Sequence, residues 1–263
     1  MTEIFREFFG IGGYQRAAEG YFSWQHLPFV SALMVLMIAA AIYFGLRSRR
    51  KPLNQRNRAL VWAAILIDGL ELFKIILGCI ENQNPMEWVY LLPLFLCSIQ
   101  LITIPLAAFS RGRMKEAAMD FVCIFGVLGA VMGTYFAGNN YAAYPVLSFT
   151  NVVSGITHCI SGFTALYIFI AGMTGMKKEN RPIVCGIMLG FAVAAYVANI
   201  FTDCNYMFLT RGDGTPYDIL YNLVGGHKLL YPVGVVGLFL VYIFLFYWVY
   251  HLIAKKKKAA VAA

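Results

Sequence analysis

The chain has 263 residues, 60% hydrophobic and 13% charged, with a mean hydropathy of +0.68, a balance that excludes a water-soluble globular domain. Its 21 basic and 13 acidic residues give a formal charge of +8, but the basic residues sit in short clusters between apolar runs, which argues against a nucleic-acid partner. What remains is a multi-pass membrane protein, and a 16% aromatic content suits one because Trp and Tyr concentrate at headgroup level.

Residues 1–26 hold Glu3, Arg6, Glu7, Arg16 and Glu19 without the continuous apolar core of a cleavable signal, so the first membrane helix is expected to start insertion itself. Apolar runs then predict helices over Leu27–Leu46, Ala59–Ile80, Trp88–Phe109, Ala117–Phe136, Val146–Met173, Pro182–Thr202 and Leu229–Ala254. The expectation is an all-α membrane protein, a single bundle of seven transmembrane helices forming one domain over residues 1–263. Barrel strands would alternate in polarity, and these runs do not.

Orientation follows from Lys and Arg. The first connection carries Arg47, Arg49, Arg50, Lys51, Arg56 and Arg58, the third Arg111, Arg113 and Lys115, the fifth Lys177, Lys178 and Arg181, and the tail Lys255 to Lys258. The second and fourth connections carry none, and the sixth sets Arg211 and Lys228 against Asp203, Asp213 and Asp218. This pattern predicts an outside N-terminus and a cytoplasmic C-terminus in a cell membrane. Residues 204–228, with Pro216 and the apolar run Ile219, Leu220, Tyr221 and Leu223, predict a short interfacial helix or lid at the outer mouth.

Intramembrane polar residues supply the site candidates, because a charged side chain at the bilayer centre costs upward of about 2.5 kcal/mol and therefore faces the protein interior. On the fifth predicted helix, Asn151, Ser154 and His158 recur at helical spacing and share a face. On the second, Asp68 lies near mid-depth, with Glu71 and Lys74 three apart in the outer half, close enough to pair. The third helix, kinked by Pro93, places Cys97 roughly 12 Å below its outer start and Gln100 one turn further in. Asn199 and Asp203 share a face near the outer end of the sixth, and His26 and His227 lie at the same boundary. These polar groups converge on the outer half of the bundle, where His158, Glu71 and Lys74 are expected to border one water-accessible cavity with Cys97 and Gln100 on its wall; the alternative is that each is an ordinary interhelical contact.

Cys123, Cys159 and Cys185 read as buried packing thiols. Cys79 and Cys204, both predicted at the outer surface, are candidates for a disulfide. Neither zinc spacing, HExxH, GxSxG, Walker nor Rossmann patterns occur, so no metal and no cofactor are expected.

With Leu92-Pro93-Leu94-Phe95-Leu96-Cys97-Ser98 entering the third helix, His158 on the fifth, and Asp203-Cys204-Asn205-Tyr206-Met207-Phe208-Leu209 leaving the sixth, the chain resembles the YwaF family of bacterial integral membrane proteins. The likeness extends to Phe22-Ser23-Trp24-Gln25-His26-Leu27 and to the Glu71-x-x-Lys74 step. Through related eukaryotic transmembrane acyltransferases and, more distantly, androgen-induced lipid hydrolases, the resemblance implies acyl-lipid chemistry with an intramembrane nucleophile and histidine. The chain departs from the family at Phe95, where members often carry a histidine, and the eukaryotic nucleophile corresponds either to Cys97 or to Leu94. In the second register the acyl-transfer reading loses its nucleophile.

Three functions are therefore open. In acyl transfer or hydrolysis on a membrane lipid, Cys97 attacks the ester, His158 shuttles the proton, and Asn151 or Ser154 orients the imidazole. In a carrier or binder for a small polar or amphipathic ligand, Glu71, Lys74, His158, Asn199 and Asp203 line an outward-facing pocket. In a membrane assembly partner without a ligand, the same residues hold helices together.

Overall fold

A long run without a helix breaker has one way to satisfy its backbone in lipid, and most of this chain takes it. In the computed structural model, which describes residues 3–81 and 83–262, the chain runs through α1 (Glu3–Phe9), α2 (His26–Ser48), α3 (Leu53–Glu81), α4 (Gln100–Phe109), α5 (Gly112–Tyr135), α6 (Gly138–Ala143), α7 (Phe149–Ile170), α8 (Arg181–Phe201), α9 (Tyr217–Leu223) and α10 (Leu230–Ala262). There is no strand among the described residues. The side chains of Lys256 to Lys258 in the predicted basic tail lie outside those described.

Among the described residues, five segments rather than seven are long and apolar enough to cross a membrane: His26–Ser48, Gly112–Ala143, Phe149–Ile170, Lys178–Phe201 and Leu230–Lys255. The predicted second span is helical over 29 residues, but Asp68, Glu71 and Lys74 interrupt its apolar run. The predicted third span is not one helix. Glu87–Leu91 is a short 3-10 turn, residues 92–99 form irregular turns, and only the 10 residues of α4 are α-helical, about 15 Å at 1.5 Å per residue. Pro93 lies in the break; it has no N–H to donate, and the residue before it is pushed toward extended backbone. Leu92 is indeed extended, at φ −58° and ψ 146°. A depth counted by helical rise therefore does not apply to Cys97.

Burial separates a centre from a periphery. In α7, 61% of the most apolar stretch is buried, and 50% in the segment containing α5, against 28%, 28% and 22% for α2, α8 and α10. Small residues explain why α5 and α7 sit at the centre. A Cβ on Gly126 would come within 2.8 Å of the Ser161 carbonyl oxygen and of Ala165 Cβ, and one on Gly162 within 2.7 Å of Ala130 Cβ. Without a hydrophobic force between helices in lipid, this close approach is what holds them.

The two ends of the bundle differ. At one end His26 Nε2 meets the Thr134 carbonyl at 3.0 Å, tying the start of α2 to the end of α5. At the other, Arg56 donates to the Ala171 carbonyl at 2.8 Å, and Lys115 donates to Asn57 Oδ1 at 2.7 Å and to the carbonyls of Ala107 and Ala108 at 2.6 and 3.0 Å. The basic connections α2–α3, α4–α5 and α7–α8 thus gather at one end, where their side chains satisfy the orphaned carbonyls of helix C-termini.

Two elements are illegible in hydropathy. α1 packs Phe9 on Phe149 at 5.0 Å between ring centroids, so the N-terminal segment covers the start of α7. Asp120, inside an apolar run of α5, is fully buried. It accepts from Thr174, from Asn180 Nδ2 at 2.9 Å and from the Tyr247 hydroxyl at 2.8 Å, joining α5 to α10 and to the connection between α7 and α8. The expected helix within residues 204–228 is present as α9, with Ile219 and Leu223 on its exposed side. Cys79 and Cys204 are free thiols, not a disulfide.

Candidate functional site

His158 occupies the tenth position of α7, about 13 Å along the helix from its first residue. Its Nδ1 lies 2.6 Å from the Ser154 carbonyl oxygen one turn back. A carbonyl oxygen only accepts, so Nδ1 carries the proton and Nε2 of the neutral ring is left as an acceptor. Ser154 Oγ stands 3.5 Å from the same nitrogen.

That leaves Nε2 free for a neighbour, and the Cys97 thiol is close enough to act on the His158 ring. Both residues are part-buried. The break before α4 places Cys97 there. After Pro93 the chain turns, with Leu94 N–H donating to the Leu92 carbonyl at 2.7 Å. The Ser98 hydroxyl closes the turn, accepting from Phe95 N–H at 3.0 Å and donating to the Phe95 carbonyl at 3.1 Å.

A brace from the other side of the bundle holds this turn. The Tyr206 hydroxyl donates to the Val89 carbonyl at 2.6 Å and accepts from Leu92 N–H at 3.3 Å, while its ring lies 4.9 Å from that of Phe95. Tyr206 is held in turn by Asn199, which accepts from Tyr206 N–H at 2.7 Å and donates to the Tyr206 carbonyl at 3.0 Å. Individual polar letters of the sequence do not single out Tyr206; it stands out only within the Asp203–Leu209 motif, where a tyrosine hydroxyl can reach across to another helix.

The remaining candidates divide. Lys74 and Glu71 form an ion pair at 2.6 Å with side chains 18% and 14% exposed, and the Lys74 charge reaches the His158 ring. These two residues therefore belong to the neighbourhood of the Cys97–His158 pair. Gln100 is fully buried; its Oε1 accepts from the Thr103 hydroxyl at 3.0 Å. Asn151 spends its amide on the carbonyls of Tyr144 and Pro145, both at 3.0 Å, so it fixes the approach to α7 rather than the imidazole. Asn199 serves Tyr206, as above. His26 has both nitrogens occupied by backbone, accepting from Phe22 N–H at 2.9 Å and donating to Thr134. Asp203 is exposed beyond the end of α8. Helical spacing placed Asn151 and Ser154 on one face with His158, but only Ser154 touches the ring.

The TMEM164 family model matches residues 21–250, a span that includes Cys97, His158 and Tyr206. No curated protein and no solved structure matches the chain. The motifs that resemble the YwaF family thus fall inside a match to a differently named membrane-protein family. With its several long apolar helices, the chain is a multi-pass membrane protein that belongs to the TMEM164 family.

Proposed function

We propose that the chain is a membrane-embedded acyltransferase in which Cys97 is the nucleophile and His158 the general base, acting on a fatty acyl ester of a membrane lipid. What supports this reading is the nearness of the Cys97 thiol to the His158 ring, the two lying over Gly129 and Gly133 one turn apart on α5, combined with the commitment of Nδ1 to the Ser154 carbonyl. An imidazole so fixed has one free lone pair, and that lone pair is the one the thiol proton needs. The reaction class comes from the eukaryotic acyltransferases related to the YwaF family, which the motifs around Cys97 and Tyr206 resemble.

In the first half-reaction, the thiol proton passes to Nε2 while the sulfur attacks the ester carbonyl. The tetrahedral adduct collapses with cleavage of the C–O bond, and the leaving alkoxide takes the proton back from the imidazolium, giving an acyl thioester and a lipid alcohol. In the second, an acceptor hydroxyl gives its proton to Nε2 and attacks the thioester, and the thiolate leaves and is reprotonated by His158. With a lipid hydroxyl as acceptor the outcome is transfer; with water it is hydrolysis. The Glu71–Lys74 pair lines the approach. The charge alternation supports an outside N-terminus and a site in the outer half of the membrane, and the YwaF resemblance supports a bacterial cytoplasmic membrane.

The test is mass spectrometry of the purified protein after incubation with ester-labelled membrane lipid. A label on Cys97 that neutral hydroxylamine releases, absent in Cys97→Ala and reduced about a hundredfold or more in His158→Ala, is expected. Lipid retained without covalent label on Cys97 would put a carrier in place of the enzyme.

A further inference from the structure

Two glycines one helical turn apart on α5 lie under the two members of the Cys97–His158 pair. A Cβ placed on Gly133 would fall inside the His158 ring, overlapping Cδ2, Nε2 and Cγ. A Cβ placed on Gly129 would lie 3.8 Å from Cys97 Cα and 3.9 Å from its Cβ, an ordinary contact. Their side-chain directions share a face because residues four apart on a helix do. The imidazole therefore rests directly on bare backbone at Gly133, with Nδ1 held by Ser154 from its own helix.

From this packing we infer that Gly133 is a positioning residue of the Cys97–His158 pair: the missing side chain is the slot that receives the imidazole and points Nε2 at the thiol. The inference rests on the proposed acyl-transfer reading for its consequence, but not for its geometry. Gly126 contrasts with it. A Cβ there would meet the Ser161 backbone oxygen at 2.8 Å, which cannot move without moving α7, so that glycine serves helix packing. At Gly133 the obstructed group is the end of a side chain with two rotatable bonds. A methyl group at 133 makes the ring swing out and leaves the helices where they are. The fold survives and the pair does not.

The experiment uses the full-length protein in lipid nanodiscs and reads Cys97 alkylation by peptide-resolved mass spectrometry, across pH, beside thermal unfolding. The variants are Gly133→Ala, Gly129→Ala and each of these combined with His158→Ala. In the wild type the alkylation profile is expected to carry the coupled titration of two groups, and in Gly133→Ala that of one isolated thiol. The neutral-pH rate is expected to change by about tenfold in Gly133→Ala and by less than about twofold in Gly129→Ala. In the His158→Ala background, where there is no ring to displace, Gly133→Ala is expected to change nothing. A Gly133→Ala protein that alkylates like wild type overturns the inference, as does an effect that persists without His158. If Gly133→Ala alone fails to fold, recovery of folding in the double variant supports the slot, and failure of both overturns it. If Cys97 never carries an acyl group yet these alkylation results hold, the proposed reaction falls and the slot stands.

Discussion

Replacing Asn199 by Leu isolates the brace that reaches the turn bearing Cys97 from α8. The wild-type amide accepts from Tyr206 N–H at 2.7 Å and donates to the Tyr206 carbonyl at 3.0 Å, and Tyr206 is fully buried while Asn199 is 9% exposed. Leucine keeps the volume and removes both bonds, leaving one backbone donor and one acceptor without partners. At about 1–3 kcal/mol for each of the two orphaned groups, the expected loss is about 2–6 kcal/mol. For a chain of this size that lowers the melting temperature by about 4–24 °C. Near-UV circular dichroism during thermal unfolding in detergent measures it, and Asn199→Asp, which keeps the acceptor but loses the donor, should fall between wild type and Leu. Because the Tyr206 hydroxyl also holds Val89 and Leu92, Cys97 alkylation should change in Asn199→Leu at temperatures where the helices remain intact. A melting temperature within about 2 °C of wild type, with unaltered Cys97 reactivity, would refute the brace.

Other perturbations have equally definite outcomes. Asp120→Ala orphans the donors on Thr174, Asn180 and Tyr247 and should destabilise by about 3–5 kcal/mol in chemical unfolding, with Asp120→Asn costing less. Gly126→Ala forces the Ser161 carbonyl away from α5 and should cost about 1–3 kcal/mol in the same assay, irrespective of the residue at position 158. His26→Leu strands Phe22 N–H and the Thr134 carbonyl and should cost about 2–4 kcal/mol while leaving a hydroxylamine-sensitive label on Cys97 intact. A His26 variant that folds normally but loses the label would return this residue to the site.

Hydropathy reads what lipid enforces. The runs ending in α2, α7 and α8, and the start of α10, are legible to within a few residues because each must satisfy its backbone internally over a membrane's thickness, whereas α10 continues eight residues past the predicted Ala254. The Trp88–Phe109 run has the same hydropathy, yet its first half is not helical, because a sliding average does not register that Pro93 lacks a donor. Asp120 is invisible for the related reason that one carboxylate barely moves such an average, while three donors brought from distant parts of the chain make its burial tolerable. At the site, the presence of Cys97 and His158 is legible, but rotation is not. When all sides of a helix are apolar, nothing in the sequence distinguishes Ser154, which contacts the ring, from Asn151, which faces the Tyr144 and Pro145 carbonyls. The glycines under the pair leave no chemical trace in composition, because their contribution is the absence of atoms.

The break at residues 92–99 also divides the molecule by local stability. His158 sits in the most enclosed helix, whose amide exchange should approach the limit set by global unfolding, whereas the turn bearing Cys97 relies on a few bonds to Ser98 and Tyr206. Releasing those bonds requires no helix to melt. The turn can therefore open and reclose as a small cooperative unit while α5 and α7 stay docked, and its amides should exchange orders of magnitude sooner than theirs. Under the proposed acyl-transfer reading, such opening is the step that admits or discharges a bulky acyl chain while His158 stays in place on α7.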